Sequence, residues 1–348
     1  MEKKKENKRT EIKEIGRIAL LDKLFENTGF KNSDSPTIKE QQGEEYTISS
    51  RLFLEGIDFD LTYTPLKYLG YKIVVSAVGG LYAKNCNPKG LNFNIALSAK
   101  FSYQHLQSLW DGVIAAAKEH KIESISLDLT TSLTGLIISC NSSGYKKQTK
   151  KEKIKSGALL CVTGNLGAGY MGLHVLEREK VAFNASKEYK QPDLSKYKYI
   201  IERYLTPNID SDTVSKFEET SIFPLDGRLI TRGLGDAVKQ IAKESGMGAK
   251  IFIEKIPIAS QTREMCEELG IDIITAVVNG GEDYRLLYVL PLENHDKIIK
   301  ELKDLEIIGH LYSLEKDESA KDINQSGEDN CFLITPEGNQ ITITAQGW

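Results

Sequence analysis

The chain has 348 residues, of which 40% are hydrophobic and 27% charged, with a formal net charge of -4. That length suits about two domains, each able to bury its own core, and the balanced charge provides no broad polyanion-binding face, so nucleic acid is not an expected partner. No run of about 18 apolar residues occurs and no apolar stretch of signal-peptide length follows the lysine-rich start, so we expect no membrane partner and a cytoplasmic protein.

Ile18, Leu20, Leu21, Leu24 and Phe25 predict an amphipathic helix over 17–25 that stops before Asn27 and Gly29. Residues 33–45 read as loop. Leu91, Phe93, Ile95 and Leu97 alternate with Asn92, Asn94 and Ala96, the period of two expected of a strand with one buried face. Leu106, Leu109, Trp110, Val113, Ile114 and Ala117 recur at steps of three and four, which predicts a helix over 102–120 packed by one stripe onto a sheet. Strands are expected at 122–127 and 135–140.

Over 144–155 the apolar period disappears and Lys146, Lys147, Lys150, Lys151, Lys153 and Lys155 accumulate. We read a solvated linker there, rather than an anion-binding loop, and divide the chain into domains 1–148 and 149–348. A short apolar strand at 158–163 then leads through a glycine-rich turn into a helix over 170–179. Further strands are expected at 250–254, 286–290, 307–311 and 331–335, and helices at 236–245, 260–269 and 295–305. Strands and helices mixed in this way imply an α+β arrangement in each half.

Cys86, Cys140, Cys161, Cys266 and Cys331 show no Cys-x-x-Cys spacing and read as reduced packing residues. None of His105, His120, His174, His295 and His310 lies at metal-ligand spacing from another histidine or a cysteine.

Two segments carry chemistry. Gly164, Asn165, Leu166, Gly167, Ala168 and Gly169 form a strand-to-helix turn where backbone N–H groups and a helix N-terminus can approach a phosphate. Gly167, Gly169 and Gly172 spell a dinucleotide fingerprint, but the acidic residue about twenty positions on is missing, and no P-loop lysine exists. The alternative is a helix-capping turn needed only for close packing. In the second segment, Asn279, Gly280, Gly281, Glu282, Asp283 and Tyr284, two adjacent carboxylates follow a glycine pair, which suits a ligand's donors or a cation, or else a plain turn.

Gly280-Gly281-Glu282-Asp283-Tyr284 resembles the Gly-Gly-Glu-Asp-Tyr motif of the thiamine-monophosphate kinase family. Residues 162–167 resemble its Val-Thr-Gly-x-Leu-Gly turn, and Glu55-Gly56-Ile57-Asp58-Phe59-Asp60 its Glu-Gly-Val-His-Phe-Asp segment. Residues 70–88 track its next strand and helix, 128–135 its Gly-Gly-Asp-Thr-Thr region, and Gly347-Trp348 its closing Gly-Trp. The resemblance implies the two-domain aminoimidazole ribonucleotide synthetase-like fold, with an N-terminal α/β domain whose sheet pairs with a second copy, and a C-terminal α/β domain. It implies ATP between the domains and transfer of its γ-phosphoryl group to thiamine monophosphate with Mg2+ as cofactor. Carried over residue by residue, it assigns Gly164, Asn165 and Gly167 to nucleotide phosphates, Glu55, Asp58, Gly280, Gly281, Glu282, Asp283, Tyr284 and Trp348 to substrate, and Asp128 to metal. No residue is assigned a catalytic role.

The chain departs from the family where acids are expected. The Gly-Asp-Asp-Ala-Ala loop has only Gly43-Glu44-Glu45 near it, Arg51 and Gly79-Gly80 stand where aspartates are expected, and Leu229 and Arg232 replace both aspartates of Met-Asp-Ile-Ser-Asp-Gly-Leu. Asp58 replaces a histidine and Arg285 a glutamate. One surviving carboxylate cannot cage two magnesium ions, whereas Arg51 and Arg232 suit direct neutralisation of a phosphate. Three readings follow: a noncatalytic binding or regulatory paralogue, as a homodimer or paired with an intact relative; an active kinase that recruits Asp58, Asp60, Glu44, Glu45 or Asp283; or another ATP-dependent reaction on a small phosphate.

Overall fold

The computed structural model describes residues 26, 37–39, 44–147, 152–185, 192–314 and 327–344. The helix expected over 17–25, Gly43 and the closing segment with Trp348 lie outside the described residues.

Residues 37–147 build a five-stranded sheet from β1 (Thr37–Lys39), β2 (Glu44–Leu54), β3 (Asn87–Leu97), β4 (Ser124–Thr131) and β5 (Ile137–Lys147), in the order β1-β2-β5-β3-β4. All neighbours are antiparallel except β3 and β4, which run parallel. Helices α1 (Leu66–Ala83) and α2 (Tyr103–Glu119) cover one face of this sheet. They cross closely because Gly70 and Gly112 lack side chains: a Cβ at either would lie about 2 Å from a carbonyl oxygen of the other helix. The sheet's other face is open, with Leu52 and Tyr145 exposed, whereas Leu127 and Leu129 are exposed on the outer strand of the helix-covered face, in register with Phe93 and Ile95.

The second sheet has seven strands: β6 (Leu159–Thr163), β7 (Asp226–Ile230), β8 (Gly248–Phe252), β9 (Arg285–Leu290), β10 (Leu305–Tyr312), β11 (Cys331–Ile334) and β12 (Gln340–Thr342). Its order is β12-β11-β8-β10-β6-β9-β7, with only the β11 and β8 pair parallel. Helices α3 (Ala168–Ala185), α4 (Lys198–Leu205), α5 (Thr213–Thr220), α6 (Leu234–Ser245), α7 (Ser260–Leu269), α8 (Ile273–Val278) and α9 (His295–Glu301) pack around it.

Helix α1 joins the two sheets. It is buried without interruption from Lys72 to Ala83, and its core cluster includes Phe53 and Ile138 of the first sheet with Leu229, Leu286 and Tyr288 of the second. Gly79 makes the approach possible, since a Cβ there would come within 2.8 Å of the Leu229 side chain. A buried ion network supports the same junction: Lys84 Nζ lies 2.6 Å and Arg228 Nη1 2.9 Å from Asp226 Oδ1, and Arg228 also pairs with Glu244.

Several expectations need correction. The loop read over 33–45 contains β1 and the start of β2, and β5 continues through Lys147 rather than ending near Cys140. The reason is pairing: Lys146 is opposite Glu45 in register and makes an ion pair with it at 3.3 Å, so the first lysines of the basic run lie in the ladder. The helix expected over 295–305 stops at Glu301, because β10 begins at Leu305. All five cysteines are buried, and none is in a disulfide. Among the described residues no helix is long and apolar enough to cross a membrane.

Candidate functional site

Strand β6 ends at Thr163, and Gly164 (φ 62°) and Gly167 (φ 84°) turn the chain into α3 through left-handed backbone that a side chain would strain. The 279–284 loop, between α8 and β9, closes over this turn. Its Glu282 N–H donates to Thr231 O at 3.0 Å and its Tyr284 N–H to Ile230 O at 2.9 Å. A Cβ at Gly169 would lie 2.0 Å from the Glu282 carbonyl oxygen, so only glycine permits the approach. Glu282 (φ 60°) and Tyr284 (φ 49°) both hold left-handed backbone, a concentration of strain typical of ligand sites.

The glycine-rich turn's amides serve the protein itself. Gly167 N–H donates to Asp283 Oδ1 at 2.8 Å and Gly169 N–H at 3.4 Å, so these two donors hold an internal carboxylate. Burial pushes the Asp283 carboxyl up to about 7, against the two amides and Arg285, which favour its charged form. Its Oδ2 is buried and makes no hydrogen bond among the described residues.

Lys72, on α1, has a side chain only 2% exposed, and its ammonium makes an ion pair with Glu282. That ammonium lies 3.8 Å from the Tyr204 ring centroid and 5.4 Å from that of Tyr284, the geometry of a cation held by aromatic faces. Asp58 sits beside this box. Its Oδ2 accepts from Leu54 N–H at 2.8 Å, and its carboxyl is raised above the usual range by burial and by the charge of Glu282, opposed by Arg232 and Lys72. Arg232 is exposed and its backbone packs against Gly281. Arg51, on β2, is near enough to Tyr284 for its charge to act on the phenol. Arg51, Asp58, Arg232, Glu282 and Tyr284 thus gather around Lys72.

Other expected site residues lie apart. Glu55 pairs with Lys100 and accepts from Leu136 N–H at 2.8 Å. Asp60 pairs with Lys180 at 2.7 Å, which holds its carboxyl down to about 2 despite the opposing effect of burial. Asp128 is exposed on β4, in the row of Leu52, Ser139 and Asn94 on the open face, whereas Arg51 belongs to the alternate row with Cys140 and Phe93. Gly280 packs on Tyr170. Gly164 and Asn165 are exposed and line a cleft of about 890 Å³ with Asn208 and Arg285.

Among the described residues no three histidine, cysteine, aspartate or glutamate side chains converge as a metal site. The carboxylates near the glycine loop are instead each held by a partner within the protein: Glu282 by Lys72, Asp58 by Leu54 N–H and Asp283 by the turn's amides. Magnesium ions bound through shared carboxylates do not fit this donor set. Lys72 and Tyr204 were missed by sequence reasoning. The available signal was a lysine inside an otherwise apolar helical run, since a buried ammonium requires a partner.

No family model matches the chain. It is 25% identical to the thiamine-monophosphate kinase of Aquifex aeolicus over 301 residues, 86% of this chain and 92% of that protein. It is 26% identical to that of Buchnera aphidicola over 323 residues, 87% of this chain and 93% of that protein. Among solved structures, AaThiL complexed with AMPPCP and TMP superposes with a TM-score of 0.79 at 22% identity, covering 98% of each chain. Escherichia coli HypE, a hydrogenase maturation protein, superposes with a TM-score of 0.63 at 16% identity, covering 94% of this chain and 95% of that one.

The two joined sheets therefore define an α+β protein of the aminoimidazole ribonucleotide synthetase-like fold. Within that fold, the chain is similar over most of its length, at 25–26% identity, to thiamine-monophosphate kinases.

Proposed function

We propose that this thiamine-monophosphate kinase-like protein binds a small phosphorylated ligand without transferring a phosphoryl group. The observation that carries the proposal is the Lys72–Glu282 pair, in which a tethered ammonium takes the acid of the Gly-Gly-Glu-Asp-Tyr loop. Phosphoryl transfer between two anions requires positioned cations that bridge both reacting groups. A lysine locked into an internal ion pair cannot bridge them, and Arg51 and Arg232 oppose entry of a divalent cation. The same two guanidiniums suit the oxygens of a bound phosphate.

The ligand we assign is thiamine monophosphate or a small phosphate like it, with ATP as the second candidate; the similar AaThiL is complexed with AMPPCP and TMP. We divide the protein into an N-terminal domain, 1–148, and a C-terminal domain, 149–348. We further propose that it is a cytoplasmic protein that dimerises through the open face of the five-stranded sheet, where Leu52 and Tyr145 are exposed. The partner is a second copy or an intact relative.

The test is incubation with ATP, magnesium and thiamine monophosphate, with products resolved by chromatography beside an Asp128→Asn control. No thiamine diphosphate above blank is expected, together with saturable thiamine monophosphate binding that Arg51→Ala/Arg232→Ala weakens at least tenfold. Product formation that disappears in the control would sink the proposal, as would binding indifferent to the arginine pair.

A further inference from the structure

The 890 Å³ cleft beside Gly164 and Asn165 has a cationic end that the family motifs do not explain. Arg285 lies under Gly164, whose missing Cβ would come 3.2 Å from the guanidinium carbon. Its Nη1 donates to the Asn208 carbonyl oxygen at 3.2 Å. Arg203, on α4, reaches the same residue from the other side, its Nη1 donating to Asn208 Oδ1 at 3.1 Å while its guanidinium lies 5.2 Å from the Tyr199 ring centroid. Asn208 lines both the larger cleft and an adjoining one that Arg203 and Tyr199 line.

Two guanidiniums thus converge on one asparagine. Among the described residues neither makes an ion pair, and each places one of its five N–H donors in a hydrogen bond. Their charges repel, and burial together with the Arg203 charge lowers the Arg285 pKa from its ordinary value, opposed by the charge of Asp283. Of the two lysines that line this cleft, Lys216 and Lys303, Lys216 is already matched, paired with both Asp210 and Asp304. Like charges held together without an ion-pair partner favour a dianion that neutralises both, and paired guanidiniums present donors in the geometry of phosphate oxygens. The cleft volume is that of a pocket for a small organic molecule.

We infer that Arg203, Arg285 and Asn208 form a second anion site, for the phosphate group of a phosphate monoester whose organic part occupies the cleft beside Gly164 and Asn165. The site is separate from the Arg51 and Arg232 pair, so the inference does not rest on the proposed function. Arg285 stands where the family resemblance leads one to expect a glutamate, which would repel the same phosphate.

Calorimetric titration of the full chain with inorganic phosphate, at ionic strength held constant with chloride, tests the inference. Arg203→Gln/Arg285→Gln is expected to lower phosphate affinity at this site at least tenfold and to remove one bound equivalent. Arg51→Ala/Arg232→Ala is expected to leave that equivalent in place. Arg203→Gln alone, at a partly exposed side chain, gives the same direction of change if the double variant does not fold. The inference is overturned if folded Arg203→Gln retains every equivalent at wild-type affinity. It is equally overturned if all phosphate binding is lost in Arg51→Ala/Arg232→Ala, an outcome that leaves the proposed function standing.

Discussion

Replacing Lys72 by methionine preserves the length and apolar stem of the side chain and removes only its charge. The Lys72 side chain is 2% exposed and that of Glu282 24%, so the substitution strands a carboxylate that water reaches only in part. Breaking a fully buried pair costs about 3–5 kcal/mol. The partial exposure of Glu282 reduces this to about 2–3 kcal/mol. Loss of the cation from the Tyr204 face, at 3.8 Å, adds about 1 kcal/mol. We therefore expect Lys72→Met to destabilise the protein by about 3–4 kcal/mol, measured by urea denaturation followed by circular dichroism. Lys72→Met/Glu282→Gln should recover about 2 kcal/mol of that loss, because the neutral amide no longer needs the ammonium. A single-variant loss below about 1 kcal/mol, or no recovery in the double variant, would refute the claim that this pair holds the loop.

The Asp283 carboxyl is raised from 3.8 to about 7, so the folded state binds more protons than the unfolded one between those values. Its contribution is present below pH 3.8 and is lost as pH rises through about 7; Asp283→Asn should flatten the pH dependence of the melting temperature in that window. Asp226 has the opposite sign: the Lys84 and Arg228 charges hold it at about 2 despite its burial. Its stabilisation is present above pH 3.8 and lost as pH falls through about 2, so Asp226→Asn should destabilise by about 2 kcal/mol at pH 7 and by little at pH 2, read from urea midpoints at the two values. Gly169→Ala places a methyl 2.0 Å from the Glu282 carbonyl oxygen and should cost about 2–3 kcal/mol in a thermal melt, since backbone rather than a flexible side chain must yield.

Elements with one wet face were legible from sequence. The alternation at Leu91, Phe93 and Ile95 becomes β3, and the stripe from Leu106 to Ala117 becomes α2, capped where Ser102 Oγ accepts from His105 N–H. Helix α1 was not legible from periodicity, because packing between two sheets makes it apolar on every side and erases the period of 3.6. At the site, the 280–284 motif was visible as letters, but its meaning depends on tertiary partners. Lys72 is 210 positions from Glu282, and Gly167 is 116 from Asp283. Local sequence offered the glycine amides to a phosphate; only the folded chain shows them turned onto Asp283.

A loop organised by a metal is a conditional structure, since its order rises and falls with the concentration of free ion. The 279–284 loop is organised by a lysine that cannot diffuse away, at an effective concentration fixed by its tether in α1. Its shape is thereby uncoupled from the supply of divalent ions: a chelator that would loosen a magnesium-held relative should leave this chain's melting temperature where it was.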